Sequence, residues 1–414
     1  MTESVLPAPN VHHRPLSKRL RELGFDPSLL ATVGVMIVFG LVMVYSASWD
    51  VSWRLEGEPD ALFRRQLNNL FIGLAAMIVA AQMPLRWLRK LAMPIIGGAI
   101  LALLLVLVLS VGAGPRRSFL AGSIQPSELA KLALILYLAV WMESKGDKLL
   151  EWGYGFIPLM AIIGIVGGLI LLQPDLSAVL TVAIVALTLF YLAGARLSQS
   201  LMVTGGGAVI AYVLVRLTTT GRARWEDYIA GMIDIKEASY HVQHSLQALY
   251  AGGILGRGLG ASREKFGLLP APHTDSIYAV TGEELGLIGA LAVLGLFVFL
   301  LWRGFRIALD SKDRLGYLIA AGITFWIGVE ALINMSVLLG LLPFAGNALP
   351  FFSYGGSSLV TTLAAVGFLL NISRRKPLEP DSLRGRLATV DISRRNRRGS
   401  VSRLGRRRRP RQDD

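Results

Sequence analysis

Ten long apolar runs, separated by short polar segments, dominate the pattern of the chain. A helix that crosses a bilayer needs roughly 20 mostly apolar residues, and each run is near that length. The predicted spans are residues 29–48, 67–83, 91–112, 127–143, 155–173, 176–193, 199–216, 276–302, 316–340 and 351–372. The fifth and sixth are separated only by Gln173-Pro174-Asp175, which we interpret as a tight turn at the membrane surface. The pattern predicts an all-α integral membrane protein with about ten transmembrane helices.

Lysine and arginine residues are distributed unevenly among the connecting segments, and this predicts the orientation of the spans. Cytoplasmic loops of membrane proteins carry an excess of these residues. With a cytoplasmic N-terminus, 29 of them fall on the cytoplasmic side and 11 on the outer side. Six of the 11 lie in segment 217–275, between spans seven and eight, and long loops translocate largely regardless of charge. We therefore expect both termini to be cytoplasmic and segment 217–275 to be a long extracytoplasmic loop.

The formal net charge of +14 belongs mostly to the C-terminal tail. Residues 373–414 carry 15 Lys and Arg against five acidic side chains, which is about +10 of the total. An apolar body with a basic tail argues against a soluble enzyme and a globular nucleic-acid-binding protein. The predicted organisation is a cytoplasmic segment 1–28, a membrane domain 29–372 and a disordered tail. We expect the tail to attract anionic lipids, with docking of cytoplasmic partners as the alternative.

Several familiar motifs are absent from the sequence. The chain has no cysteine, so disulfides and thiol chemistry are not available to it. It contains no Walker A motif, no zinc motif and no internal repeat. The first apolar run lacks the small-residue cleavage pattern of a signal peptide, and we expect it to remain as a membrane anchor.

A first group of polar residues lies around the start of the fourth span. Pro126 fits the first turn of a helix, and Glu128 and Lys131 are three residues apart, so they share one helix face. One interpretation is a locally neutralised ion pair. The other is that Lys131, together with Arg116 and Arg117, attracts an anionic lipid headgroup. Charges inside a bilayer are costly, which makes them candidates for a functional site.

A second group lies in the long loop and at the start of the eighth span. The glycine-rich run 252–260 lacks phosphate-loop spacing, and we favour a flexible loop over a phosphate site. Asp275 fits either a helix cap or a general base. Glu283 and Glu284 lie about 12 Å further along the helix, so each must face a cavity or a cation. Glu330 raises the same question in the next span.

Seven short motifs resemble those of the SEDS proteins (shape, elongation, division, sporulation), the FtsW and RodA membrane glycosyltransferases of bacterial cell-wall synthesis. The motifs, in order, are GLVMVYSAS (40–48), QPSELAK (125–131), QPD (173–175), GRGLG (256–260), PHTD (272–275), GEELG (282–286) and PFFSYGGSS (350–358). They cover residues 30–372. The strings VYSAS (44–48) and GASREKF (260–266) are more similar to FtsW than to RodA.

The resemblance implies that the protein polymerises lipid II into glycan strands at the outer face of the bacterial cytoplasmic membrane. A sugar 4-hydroxyl attacks the anomeric carbon of a muramyl unit, and undecaprenyl pyrophosphate leaves. Asp275 falls on the catalytic aspartate of the family, which accepts the proton of the attacking hydroxyl. The expected substrate-binding residues are Arg116, Arg117, Glu128, Lys131, Arg224, Lys265, His273, Glu283 and Ser357.

The resemblance also implies partners, and it leaves alternatives open. Expected partners are a class B penicillin-binding protein and other division or elongation proteins, but no nucleic acid. A divalent cation is a possible cofactor, although the sequence contains no recognisable cluster of metal ligands. The rivals are an elongation (RodA-type) polymerase, a lipid II flippase or other transporter, and a scaffold without chemistry. Four residues depart from the family pattern and put fine substrate contacts in doubt: Ser118, His241, His244 and Ser276.

Overall fold

Every regular element that the structure describes is helical. The structure is a computed structural model that describes residues 24–109, 125–196 and 218–374, with scattered positions between 198 and 216. Its main helices are α1 (Pro27–Glu56), α2 (Ala61–Gln82), α3 (Leu85–Leu109), α4 (Pro126–Lys145), α5 (Ile157–Leu171), α6 (Leu176–Leu192), α7 (Thr219–Ile233), α8 (Tyr240–Gly252), α9 (Ile277–Leu309), α10 (Arg314–Leu338) and α11 (Gly356–Ser373).

The helices agree with the predicted spans over most of the chain. Within the part of the chain that the structure describes, six helical segments are long and apolar enough to cross a membrane: α1, α3, the segment Trp152–Leu171 that contains α5, α9, α10 and α11. Helices α2, α4 and α6 also coincide with predicted spans. The seventh predicted span, 199–216, lies largely outside the described residues. A multi-pass helical membrane protein is therefore confirmed, whereas the number of ten spans and their orientation stay predictions.

The last predicted span begins too early in the chain. It was expected at residue 351, but α11 begins at Gly356. The backbone of Phe351 has a φ of 68°, which a helix does not accommodate. The Phe351 carbonyl packs directly against Gly40 of α1, and any side chain at position 40 would clash with it. Residues 351–355 therefore form a packed connection rather than the first turn of a helix.

Helix α10 forms the centre of the bundle. It packs against α4, α6, α9 and α11, and its apolar stretch is 89% buried. Trp326, near its middle, is completely buried. A helix that is apolar on all sides is expected in such a central position. Polar residues on α10 are therefore forced towards other helices or an internal cavity.

Helix α9 is broken within the bundle at Gly286. This residue has φ 68° and ψ −167°, a conformation open to glycine and costly for other residues. The break leaves backbone groups without helical partners, and the glycine-rich run satisfies them. Arg257 N donates to Glu283 O (3.0 Å), Gly258 N donates to Glu284 O (2.9 Å), and Leu287 N donates to Gly253 O (2.9 Å). The run is thus attached to α9 through backbone hydrogen bonds, although most of its residues are exposed, and the flexible-loop interpretation stays a prediction.

Candidate functional site

A polar cavity of about 710 Å³ lies between the helix ends that are predicted to face the outside. Its walls come from the end of α1, the starts of α2, α4, α6 and α11, and segments 273–275 and 346–348. This volume is in the range of small-molecule sites. Five of the residues predicted from the sequence line it together: Glu128, Lys131, His273, Asp275 and Ser357.

Asp275 enters the cavity just before the first turn of α9. The helix begins at Ile277 and its N-cap residue is Ser276, which makes no side-chain capping bond. The Ser276 hydroxyl donates instead to Pro270 O (2.9 Å). The N-cap position of α9 is therefore occupied by Ser276 rather than by Asp275. A Cβ built on Gly346 would lie 2.7 Å from Asp275 Oδ2, so the glycine leaves room for the carboxylate.

The backbone around Asp275 is fixed by hydrogen bonds from the neighbouring loop. Asn334 Nδ2 on α10 donates to Asp275 O (2.9 Å). Ser353 Oγ donates to Thr274 O (2.6 Å), and Tyr354 N donates to His273 O (2.8 Å). Such bonds hold the backbone that carries the carboxylate at the cavity wall. Burial lowers the pKa of His273 to about 4, so its ring is neutral near pH 7.

Lys131 forms an ion-paired triad with two carboxylates. Its Nζ donates to Glu128 Oε1 (2.8 Å) and to Glu330 Oε1 on α10. The ammonium also lies 5.8 Å from the centre of the Trp326 ring. The ion pair expected between Glu128 and Lys131 is confirmed, and Glu330 has the cationic partner that its position requires. The second oxygen of Glu128, Oε2, has no hydrogen-bond partner among the described residues.

A hydrogen-bonded turn closes the rim of the cavity. Asp175 Oδ1 accepts from Ala178 N (3.1 Å) at the start of α6, and Oδ2 accepts from Gln125 Nε2 (3.0 Å). Gln125 N in turn donates to Ser357 Oγ (3.0 Å). These bonds join the first turns of α4, α6 and α11. The tight turn expected at 173–175 is thereby confirmed.

Three other predicted residues that the structure describes, Arg224, Lys265 and Glu283, do not line this cavity. Arg224 lines a separate cavity of about 240 Å³ between α7, α8 and residues 339–344, with its guanidinium 5.7 Å from the Phe344 ring centre. Lys265 and Glu283 are both buried: Lys265 lies on the segment 253–275, which connects α8 to α9, and Glu283 lies on α9. Arg116 and Arg117 lie outside the described residues.

Several cavity residues were not assigned from the sequence. Arg65, Asn68 and Asn69 on α2 are three and four residues apart, so they share a polar face of an otherwise apolar helix. That spacing could have identified these three residues from the sequence. Asn347 could not have been identified in this way, because the residues around it give no sign that it lines a site. Among the described residues, no group of three or more His, Asp and Glu side chains is arranged to hold a metal ion.

The family follows from comparison with known proteins. The family model for FtsW, RodA and SpoVE, described as "Cell cycle protein", matches residues 27–377. The chain belongs to this family. It is 39% identical over 356 residues to the probable peptidoglycan glycosyltransferase FtsW of Geobacter metallireducens, covering 85% of this chain and 95% of the relative. It is 38% identical over 370 residues to stage V sporulation protein E of Bacillus subtilis, covering 84% and 97%.

Solved structures support the same family. The chain matches Rod shape determining protein RodA of Thermus thermophilus with a TM-score of 0.63 and 30% identity, covering 86% of this chain and 98% of that chain. It matches a chain of a peptidoglycan synthase complex with a TM-score of 0.68 and 30% identity, covering 86% and 99%. The resemblance found in the sequence motifs is confirmed. This FtsW/RodA family member is an enzyme, a peptidoglycan glycosyltransferase.

Proposed function

We propose that the protein polymerises lipid II into glycan strands at the outer face of a bacterial cytoplasmic membrane. The observation that carries this proposal is that Asp275 and Lys131 line the same cavity. A carboxylate supplies a base and an ammonium supplies a cation, and a polymerase that releases a pyrophosphate needs both. The cavity volume of about 710 Å³ has room for sugar units of the substrate.

The chemistry uses these two groups at opposite ends of the transferred sugar. Asp275 accepts the proton of the attacking 4-hydroxyl as its oxygen bonds to the anomeric carbon of the muramyl unit. The bond from that carbon to the pyrophosphate oxygen breaks, and its electron pair leaves with undecaprenyl pyrophosphate. Lys131 stabilises the negative charge that develops there. Arg116 and Arg117 remain additional candidates for this task, and Arg224, His273 and Ser357 remain candidates for binding other parts of the substrate.

We assign the protein to cell division rather than elongation. This rests on the FtsW-like strings at 44–48 and 260–266 and on curated relatives named FtsW at 36–39% identity. The alternative is an elongation polymerase of the RodA type. The expected partner is a class B penicillin-binding protein, because one solved relative is a complex that coordinates polymerisation with crosslinking. Anionic lipids remain the expected partner of the basic tail, and a divalent cation remains a possible cofactor that no proposed step uses.

Purified protein with its transpeptidase partner is expected to convert fluorescent lipid II into glycan polymer. The products are measured by gel electrophoresis, with the partner alone as the control. A flippase would instead scramble lipid II rapidly between the leaflets of liposomes and give no polymer under any partner condition. A scaffold would do neither. Either of those results would contradict the polymerase proposal.

Depletion of the protein in a rod-shaped host is expected to give filaments that elongate without dividing. Cell shape is measured by microscopy after expression stops, and a plasmid copy of the wild-type gene serves as the rescue control. Round cells that lose their rod shape would show that the elongation alternative is correct. The polymerase assignment would stand in both cases.

A further inference from the structure

A buried polar network lies outside the cavity, where the segment 253–275, which connects α8 to α9, contacts α1 and α9. Lys265 Nζ donates to Glu284 Oε1 (2.7 Å), to Gly260 O (2.9 Å) and to Ser46 Oγ on α1 (2.9 Å). The Ser46 hydroxyl is in turn 2.7 Å from Glu284 Oε1. Lys265 is 4% exposed and Glu284 is fully buried. The network therefore joins three parts of the fold: α1, the segment and α9.

Glu283 anchors the same segment one residue earlier on α9. Its carboxylate accepts from Ser262 Oγ (2.5 Å), from Arg263 N (2.9 Å) and from Arg257 Nη1 (3.2 Å). Each of the two adjacent glutamates is thus paired with a cation from the segment. These pairs explain how two carboxylates can be buried in a membrane helix. They lie directly before the break at Gly286, where the backbone of the segment replaces the missing helical bonds.

The anchored residues are tightly connected to Asp275. Leu269 N donates to Glu264 O (2.7 Å), and Leu269 itself is 2% exposed. Ser276 N donates to Ala271 O (3.2 Å) just after Asp275. These hydrogen bonds connect the anchored residues to the part of the segment that ends at Asp275, so a displacement at Lys265 is expected to reach Leu269 first.

We propose that Lys265 and Glu284 are positioning residues, which hold the segment against α1 and α9 and so place Asp275 in the cavity. Neither lines the cavity, so they act through the segment rather than by touching substrate. The catalytic part of the inference rests on the proposed function of Asp275. The positioning is electrostatic. Removal of one member leaves a buried charge without its partner, and the segment is then expected to shift so that this charge is hydrated. Lys265 is the member that can move, since it lies on a connecting segment.

The absence of cysteine allows a direct measurement of the position of the segment. Leu269→Cys places one buried thiol on the segment, and Leu349→Cys places a matched thiol, from a leucine 1% exposed, on the connection before α11. Adding Glu284→Gln is expected to raise the maleimide labelling rate of the first thiol by about tenfold or more, and that of the second by less than about twofold. Unchanged labelling of the first, or faster labelling of both, would overturn the proposal.

Kinetics of the same variants separate positioning from general destabilisation. Lys265→Met and Glu284→Gln are each expected to lower kcat for lipid II polymerisation about tenfold, with KM changed by less than about twofold. The double variant, which removes both buried charges, should recover part of that loss. Arg222→Met, which breaks an exposed pair with Glu226 on α7, is the control and should match wild type.

These readouts distinguish the inference from the proposed function. Labelling does not require catalysis, so it would still rise if Asp275 were not the base. A double variant no better than either single variant would show that the charges do not act as a pair and would overturn the positioning role. A wild-type kcat in both single variants would also overturn the positioning role. The assignment of Asp275 as the base would stand in that case.

Discussion

Replacing Asp275 with asparagine is expected to lower the rate of lipid II polymerisation by about 10²–10⁴-fold, the usual contribution of a general base. Asparagine has nearly the same shape as aspartate but accepts no proton at neutral pH. The space left by Gly346 and the bond from Asn334 to the Asp275 carbonyl do not depend on the carboxylate charge. The fold and substrate binding should therefore persist, and the loss should be in kcat. The measurement is the initial rate of polymer formation at saturating lipid II.

The matched control is a carboxylate at the opposite end of α9. Asp310→Asn changes the same chemical group at an exposed site that is predicted to be cytoplasmic, and should leave the rate unchanged. The melting temperature of both variants, measured in detergent, is expected to match that of wild type. A well-folded Asp275→Asn protein that polymerises lipid II at the normal rate would exclude Asp275 as the base. Neutral His273 does not offer a second charge that changes between pH 6 and 8, since its pKa is about 4.

Most of the helical architecture could be predicted from the sequence because apolar length is a local property. Helix α4 begins at Pro126 as expected, and α9 begins within one residue of its predicted start. The break at Gly286 could not be predicted. Glycine is common in membrane helices, and only the packing of the run 252–260 against it shows that this one adopts a positive φ. Backbone bonds between distant segments leave no periodic signal.

The site was partly predictable, because some of its contacts are between residues that are close in the sequence. Glu128 and Lys131 lie on one helix turn, so their contact follows from spacing. Glu330 joins them from a position 199 residues from Lys131. The sequence indicated only that Glu330 needed a cation, not which one. Likewise, Lys265 and Glu283 carry the right chemistry for substrate binding, but the fold buries both and gives each an internal partner.

Replacing Lys131 with methionine is expected to lower both stability and activity. Its side chain is 4% exposed, between carboxylates of Glu128 and Glu330 that are 11% and 3% exposed. Loss of the ammonium leaves two buried carboxylates facing each other, and breaking a buried ion pair costs about 3–5 kcal/mol. Polymerisation should fall about 100-fold or more, because a charge that stabilises the leaving group is also lost. Thermal unfolding in detergent and the initial polymerisation rate measure the two effects.

A charge-free triad separates these two contributions. The triple variant Glu128→Gln, Lys131→Met, Glu330→Gln contains no unpaired buried charge, so its melting temperature should recover towards wild type. Its polymerisation rate should stay low, because no cation faces the pyrophosphate at that place. Glu330→Gln alone is the control: it keeps the 2.8 Å contact of Lys131 with Glu128 and should retain both stability and most activity. If activity returned together with stability in the triple variant, Lys131 would be a structural residue, and the cation for the leaving group would have to come from elsewhere, with Arg116 and Arg117 as the next candidates.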